Sequence, residues 1–186
     1  MLIEKVTTSL MAENCYVLSD PERADCVVID PGGNPARILA QCGERKIAAI
    51  LLTHCHFDHI AAVPSLKQPD IPLIIHELDA AGLTDPNLNA SALFIKPIVV
   101  PPADITVQDG AELNYAGLHI QVLHTPGHTA GSVCYLCEDA LFTGDTVMSG
   151  GGVGRTDLPS GSEEALHASL LRLMPLLRRC NCYGGH

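Results

Sequence analysis

A continuous apolar segment that ends in a cluster of metal-binding residue types constrains this chain more than any other feature. Residues 46–54, KIAAILLTH, form a run that is typical of a buried strand. His54, His56, Asp58 and His59 fall within six positions of one another. Alternate residues of an extended chain share a face, so His54 and His56 can chelate one metal ion while Asp58 and His59 reach a second one. A polar surface turn does not explain so many candidate ligands directly after a buried strand.

The remaining pattern predicts the fold class. Three strand-like segments fill the first 30 residues, and further strand-like segments follow on both sides of residues 77–94. Residues 35–44 and 161–179 read as helices, the second with Ser162 at its N-cap, and residues 58–68 read as a helix interrupted by Pro64. Strands interleaved with few helices predict an α/β (α+β) protein, with two sheets packed face to face and helices outside.

Charge and composition restrict the partners. The net charge is −10 without any cluster of Lys or Arg, which disfavours nucleic acid and anionic membranes as partners. The N-terminus lacks the pattern of a secretory signal, and no apolar run approaches the ~20 residues of a membrane span. Four of the eight cysteines, Cys15, Cys26, Cys134 and Cys137, lie in strand-like runs, and Cys134 and Cys137 would point to opposite faces of their strand. We therefore expect a cytoplasmic protein with reduced cysteines; the sequence leaves its oligomeric state open.

Two later segments offer further ligands at strand ends. His128 follows the apolar run that ends at His124, and Asp145 stands at a Gly-Asp corner after another strand, where its two oxygens could bridge two ions. We interpret His124 as a polar neighbour on the strand, and His76 as a residue at the surface or beside the ligands.

Four motifs, THCHFDH, TPGHTAGS, FTGD and GVGRTDLPSGS, occur in this order along the chain. In combination they resemble the metallo-β-lactamase superfamily, and they are most similar to its single-domain, glyoxalase II-like (hydroxyacylglutathione hydrolase-like) hydrolases. The resemblance covers nearly the whole chain. It implies that residues 1–186 form one αββα sandwich, with two mixed β-sheets flanked by helices.

The resemblance also assigns roles to the candidate ligands. It implies a first metal ion on three histidines, a second ion on one aspartate and two histidines, and an aspartate that bridges both ions: His54, His56 and His128; Asp58, His59 and His186; Asp145. His186 is the last residue, whereas the family continues beyond this ligand with a short helix. The domain would therefore lack that segment, and we expect His186 to be poorly held, because chain ends fray.

The activity that the resemblance implies is hydrolysis of a small-molecule thioester. Two divalent metal ions, zinc first and iron or manganese as alternatives, would hold a hydroxide that attacks the carbonyl carbon. Asp58 would be the catalytic residue that orients the hydroxide, and the thiolate would leave without a strong acid. S-acylglutathione thioesters such as S-lactoylglutathione are the expected substrates. Arg155 would either pair with Asp157 and fix the loop beneath Asp145, or meet a substrate carboxylate.

Two alternatives remain at this stage. A persulfide dioxygenase of the same fold would hold a single iron on His54, His128 and Asp145. A metal-binding protein without turnover would hold one ion weakly. The segments DLPSGS and GGH favour the hydrolase.

Overall fold

A computed structural model describes all residues from 1 to 186. The first sheet has six strands in the order of the chain: β1 (Leu2–Thr7), β2 (Asn14–Ser19), β3 (Asp25–Ile29), β4 (Lys46–Leu51), β5 (Leu73–His76) and β6 (Ile105–Val107). Strands β1 to β3 pair antiparallel, and β3 to β6 pair parallel. This sheet is therefore mixed, with its parallel half in the middle and at one edge.

The second sheet has the spatial order β11-β10-β9-β8-β7. Its strands are β7 (Glu112–Tyr115), β8 (Leu118–His124), β9 (Val133–Cys137), β10 (Ala140–Gly144) and β11 (Asn181–Gly184). Neighbouring strands are antiparallel except β10 and β11, which are parallel because the long helix connects them. The helices are α1 (Pro35–Cys42), α2 (Phe57–Ile60), α3 (Val63–Leu66), α4 (Ser91–Phe94) and α5 (Glu163–Leu177), with a 3-10 helix at Glu77–Leu83.

The core is stacked in layers by the alternation of side chains along the strands. On β3, Val27 and Ile29 pack between the two sheets, whereas Val28 packs outward beneath helix α1 through Ile38. Leu173 of α5 packs on the outer face of the second sheet. The protein is thus an αββα sandwich of two mixed sheets, as predicted, with the aliphatic core that scarce aromatics require.

Several local predictions are confirmed and others need correction. The Ser162 hydroxyl accepts a hydrogen bond from the backbone N–H of Ala165, so Ser162 caps α5. The expected helix over residues 58–68 is two one-turn helices, α2 and α3, with Pro64 in the first turn of α3. The strand-like segment at residues 98–110 pairs in a sheet only at β6, because Pro101 and Pro102 before it lack the N–H groups that a ladder needs.

The cysteine prediction agrees with the strand geometry. Cys134 faces helix α5 and Cys137 faces the space between the sheets, so they lie on opposite sides of β9. All eight cysteines are free. No helix is both long enough and apolar enough to span a membrane.

Candidate metal centre

The seven predicted ligands come together at one edge of the sandwich, where β4 and β10 end. Their donor atoms form three groups, and within each group all the donor atoms lie within 4.8 Å of one another. The groups are His54, His56 and His128; His54, His59 and Asp145; and Asp58, His59 and His186. We call these seven residues the metal-binding cluster. The groups share members, so the donors surround one continuous space rather than three separate ones.

Hydrogen bonds at Nδ1 determine which ring nitrogen each histidine offers. His54 Nδ1 lies 3.0 Å from the Thr53 hydroxyl, which donates its own proton to Asp30 at 2.6 Å, so the histidine must be the donor. His128 Nδ1 donates to the carbonyl of Arg155 at 2.7 Å. In both residues Nε2 is therefore left with a free lone pair, which is the form that binds a metal ion.

His59 and His186, the histidines expected at the second metal ion, also donate a hydrogen bond from Nδ1. His59 Nδ1 donates to Asp30 at 3.0 Å, and His186 Nδ1 donates to the carbonyl of Met11 at 3.0 Å. The Nε2 atom of His186 lies 3.4 Å from Asp58 and 3.6 Å from Asp145. Each ring is thus fixed from behind by a protein acceptor and presents Nε2 to the carboxylates.

Buried polar atoms without partners indicate what the cluster is built for. The Nε2 atoms of His54, His56 and His59 and Oδ1 of Asp145 are buried and make no hydrogen bond. His56 Nδ1 also lies 2.8 Å from His128 Nε2. Two nitrogens this close repel each other unless a proton or a cation lies between them. Leaving such groups unsatisfied costs about 1–3 kcal/mol each. Bound metal ions would satisfy the Nε2 atoms of His54 and His59 and Oδ1 of Asp145, and an ion could bind His56 through Nδ1, so these residues fit a metal centre.

The pKa shifts separate the two groups of histidines. Burial lowers the pKa of His54 and His128 and lowers that of His56 to about 3, so these three rings are neutral at pH 7. Burial opposes the charged form of His59 as well, but the carboxylates of Asp145 and Asp30 together raise its pKa. A hydrogen bond with Asp58 raises the pKa of His186.

The expectation that His186 is poorly held is wrong. Its carbonyl accepts the N–H of Ser149 at 2.8 Å, in addition to the bond from its ring to Met11. The preceding Gly185 is bonded on both sides, donating to Gly144 and accepting from Asn14, each at 2.8 Å. These bonds fix His186 against two loops and the end of β10, so the second group of donors is complete.

Three buried carboxyl groups that the sequence did not point to support the cluster. Asp30 follows β3 and binds His59 together with both the N–H and the hydroxyl of Thr53. Asp79, in the 3-10 helix, accepts from the N–H groups of Cys55 and Gly131 at 2.9 and 2.7 Å. Only the DPGG turn signal near Asp30 was visible in the sequence, and it carried no hint of this role.

Glu13 is the third buried carboxyl group. It is fully buried, and neither of its carboxyl oxygens has a hydrogen-bond partner within normal distance and geometry. Burial raises the pKa of Glu13 well above its usual value. Glu13 lies within 4.8 Å of Asp30 and His59, so it belongs to the polar layer behind the metal-binding cluster.

The glycine-rich loop at residues 148–162 holds the cluster through its backbone. Arg155 pairs with Asp157 through two hydrogen bonds of 2.6 and 2.7 Å, as the first interpretation predicted. The N–H of Gly154 bonds to the carbonyl of Asp145 at 2.7 Å, and the Arg155 carbonyl orients His128. The loop therefore positions two members of the cluster through its own backbone groups.

His76 and His124 lie outside the cluster. Their rings stack at 4.0 Å with an angle of 9°, and His124 bonds to the carbonyl of Ala130. His76 is buried, so its interpretation as a surface residue is wrong. His124 is a polar neighbour on its strand, as expected.

An αββα sandwich with a His/Asp cluster at the ends of its strands defines a class of metal-binding proteins. The family model described as the metallo-beta-lactamase superfamily matches residues 9–186, and the chain belongs to this superfamily. Among curated relatives, the probable metallo-hydrolase YqgX of Bacillus subtilis is 36% identical over 184 residues, covering 95% of this chain and 85% of that protein. Hydroxyacylglutathione hydrolase GloC of Haemophilus influenzae is 32% identical over 197 residues, covering 100% and 91%.

Solved structures agree with the fold. The crystal structure of BLEG-1 B3 metallo-beta-lactamase superposes with a TM-score of 0.91 at 34% identity, covering 100% of this chain and 91% of that one. The structure of TTHA1623 in a di-iron-bound form gives a TM-score of 0.85 at 37% identity, covering 98% and 91%. The chain is thus similar both to a protein named as a β-lactamase and to one that holds two iron ions.

Proposed function

We propose that this chain is a metal-dependent hydrolase that cleaves small-molecule thioesters, of which S-acylglutathione compounds are the first candidates. The observation that carries the proposal is the convergence of the seven-residue cluster, with its unsatisfied buried nitrogens, at one open cleft that five of the seven residues line. The relative named hydroxyacylglutathione hydrolase supports the choice of thioester.

Two divalent ions would be held by the two histidine groups, with Asp145 between them. When bound, such ions supply Lewis acidity, which lowers the pKa of water and polarises a carbonyl oxygen. Nitrogen and carboxylate donors suit zinc, our first choice, as well as iron and manganese.

The residues of the chain account for orientation and for the leaving group. Asp58 lines the cleft and lies 3.4 Å from His186, so its carboxylate is placed to accept a hydrogen bond from an attacking water and to orient it. Outside the metal-binding cluster, no side chain that lines the cleft is a general acid. A thiolate needs none, because thiols are far more acidic than alcohols. Amides and alkyl esters would be poorer substrates for the same reason.

The geometry favours the binuclear hydrolase over the mononuclear iron dioxygenase. A dioxygenase would use only His54, His128 and Asp145, and it would leave the second group without purpose. Yet the rings of His59 and His186 are both oriented by hydrogen bonds at Nδ1. A second group of donors that is held this firmly supports two ions.

The test combines metal content and activity on one sample. We expect protein purified without added metal to contain close to two ions per chain and to release thiol from S-lactoylglutathione or a simpler acylglutathione. His59→Asn should lower metal content toward one ion and reduce thiol release by at least about a hundredfold. His119→Asn is the matched control, since His119 is an exposed histidine on β8. One iron per chain, with oxygen uptake on glutathione persulfide and no thiol release from thioesters, would refute the proposal.

A further inference from the structure

The cleft over the metal-binding cluster has two chemically different walls. One wall consists of the ligands themselves: His56, Asp58, His128, Asp145 and His186. The rest of the lining is almost wholly apolar and comes from four separate parts of the chain: Met11, Phe57, Phe94, and the loop that holds Met148, Val153 and Leu158. The cleft has a volume of about 340 Å³, toward the small end of the range for small-molecule sites.

The only other polar side chain of the lining is already paired. Two N–H groups of the Arg155 guanidinium, on Nε and Nη2, donate to the carboxylate of Asp157, and the guanidinium carbon lies 5.8 Å from the centre of the Phe94 ring. The charge of Arg155 is thereby balanced by Asp157. Once the ligands hold metal, the cleft therefore offers no unbalanced charge to the non-reacting part of a substrate, and its only remaining side-chain donors outside the ligands are the other N–H groups of Arg155.

Apolar side chains also form the rim of the cleft, although they are exposed to water. Met11 is 67% exposed, Phe94 51% and Val153 47%. Single exposed apolar residues are common, but these three come from distant parts of the chain and surround one opening. Phe57, in contrast, is buried, and its ring lies 6.0 Å from that of Phe94, so the apolar surface continues from the rim to the wall beside Asp58.

We infer that the acyl group of the substrate is an apolar chain or ring that lies in this cleft, and that hydroxyacyl groups such as lactoyl are disfavoured. The inference rests on the proposed thioesterase function. The acyl side is the apolar side, because thiol carriers such as glutathione bear charged groups that would find no partner among these side chains. Hydrolysis joins the oxygen of water to the carbonyl carbon and breaks the C–S bond, giving a carboxylate and a thiol without oxidation or reduction.

The test uses the metal-loaded full chain and a series of acyl groups on one carrier, glutathione. We expect kcat/KM to rise about fourfold for each methylene from acetyl to hexanoyl. Propionyl and lactoyl differ only by a hydroxyl group, and we expect propionyl to be preferred by about tenfold or more, because the hydroxyl would exchange its hydrogen bonds to water for a mainly apolar surface.

A pair of variants ties this preference to the cleft. Phe94→Ala should lower the ratio of hexanoyl to acetyl activity by about tenfold, while Leu171→Ala, 61% exposed on helix α5 and outside the lining, should leave it unchanged. If thioesters are cleaved but lactoyl equals or exceeds propionyl, or if the ratio is the same in both variants, the inference is wrong and the proposed function stands. If no thioester is cleaved, both fall.

Discussion

Asp79 connects two loops of the metal-binding cluster, and replacing it with asparagine tests how firmly the cluster is held. One carboxylate oxygen accepts the N–H of Gly131 at 2.7 Å. The other accepts the N–H of Cys55 at 2.9 Å and the hydroxyl of Thr129 at 2.8 Å. Cys55 stands between two ligands, and Thr129 follows directly after His128. Asp79 is itself buried, so water cannot replace these bonds.

Asparagine has nearly the same shape but one acceptor fewer. Whichever way its amide is turned, the NH2 group faces a buried N–H donor of Gly131 or Cys55. The lost bond leaves that donor unsatisfied at about 1–3 kcal/mol, and each remaining bond weakens when its acceptor loses the negative charge. We expect Asp79→Asn to lower the free energy of unfolding by about 3 kcal/mol. Metal affinity should fall by about 10-fold to 100-fold, as for other residues that orient ligands.

Urea unfolding of the metal-free protein measures the first effect, and competition with a chromophoric chelator measures the second. Asp70→Asn is the matched control: Asp70 is exposed, and its replacement should change stability by less than about 0.5 kcal/mol. If Asp79→Asn unfolds within about 1 kcal/mol of the control and binds metal equally well, the three hydrogen bonds do not hold the cluster together and the reasoning fails.

Three further predictions concern the charged groups and the close packing around the cluster. His54, His56 and His128 have lowered pKa values and are neutral at pH 7, whereas His59 and His186 have raised pKa values and must lose a proton to bind metal. Calorimetric titration with zinc should therefore show one site of nearly constant affinity between about pH 7 and 8 and a second site that strengthens with pH over the same range; two sites with the same pH dependence would contradict this. Burial raises the pKa of Glu13, so the folded state retains a proton that the unfolded chain releases above about pH 4.3, and stability falls as pH rises. Glu13→Gln should therefore raise the melting temperature of the metal-free protein at about pH 8 and change it little at about pH 4; an equal gain at both would point to packing instead. A side chain on Gly32 would collide with the carbonyl oxygen of Asp58, so Gly32→Ala should lower the free energy of unfolding by about 2–3 kcal/mol in a chemical denaturation. Gly43→Ala is the comparison: nothing lies within 4 Å of the added carbon, but φ is +62°, so the loss should be only about 1 kcal/mol.

The donors of the metal-binding cluster could be predicted because most of them are close together in the sequence. Four of the seven lie within six consecutive positions, residues 54–59, shortly after β4, and the others each stand at the end of a strand or in a motif. Asp30 and Asp79 could not be found in the same way. Each acts through backbone N–H groups or a neighbouring ring, and such partners depend on which loops the fold brings together. Thr53 is 23 residues from Asp30 in the sequence, and Gly131 is 52 residues from Asp79.

The error about His186 has the same origin. A terminal residue is expected to fray when only its own segment is considered. Here the partners of Gly185 and His186 are Met11, Asn14, Gly144 and Ser149, which belong to β2, the end of β10 and two loops. Sequence distance hides these contacts, because β11 pairs only with β10 and reaches the N-terminal loop across the top of both sheets.

The apolar cleft is the clearest case of a property that only the fold reveals. Met11, Phe94 and Val153 stand in segments without any common pattern, and each alone is an unremarkable exposed apolar residue. Together they surround the opening above donors that the sequence had already indicated. The ligand residues of the motifs therefore predict the chemistry at the metal ions, while the choice of acyl group depends on apolar side chains that only the fold brings together. Substrate preference in this chain should accordingly change with Phe94 and its neighbours while metal content stays constant, and a loss of bound metal in Phe94→Ala would show that the two are not separate.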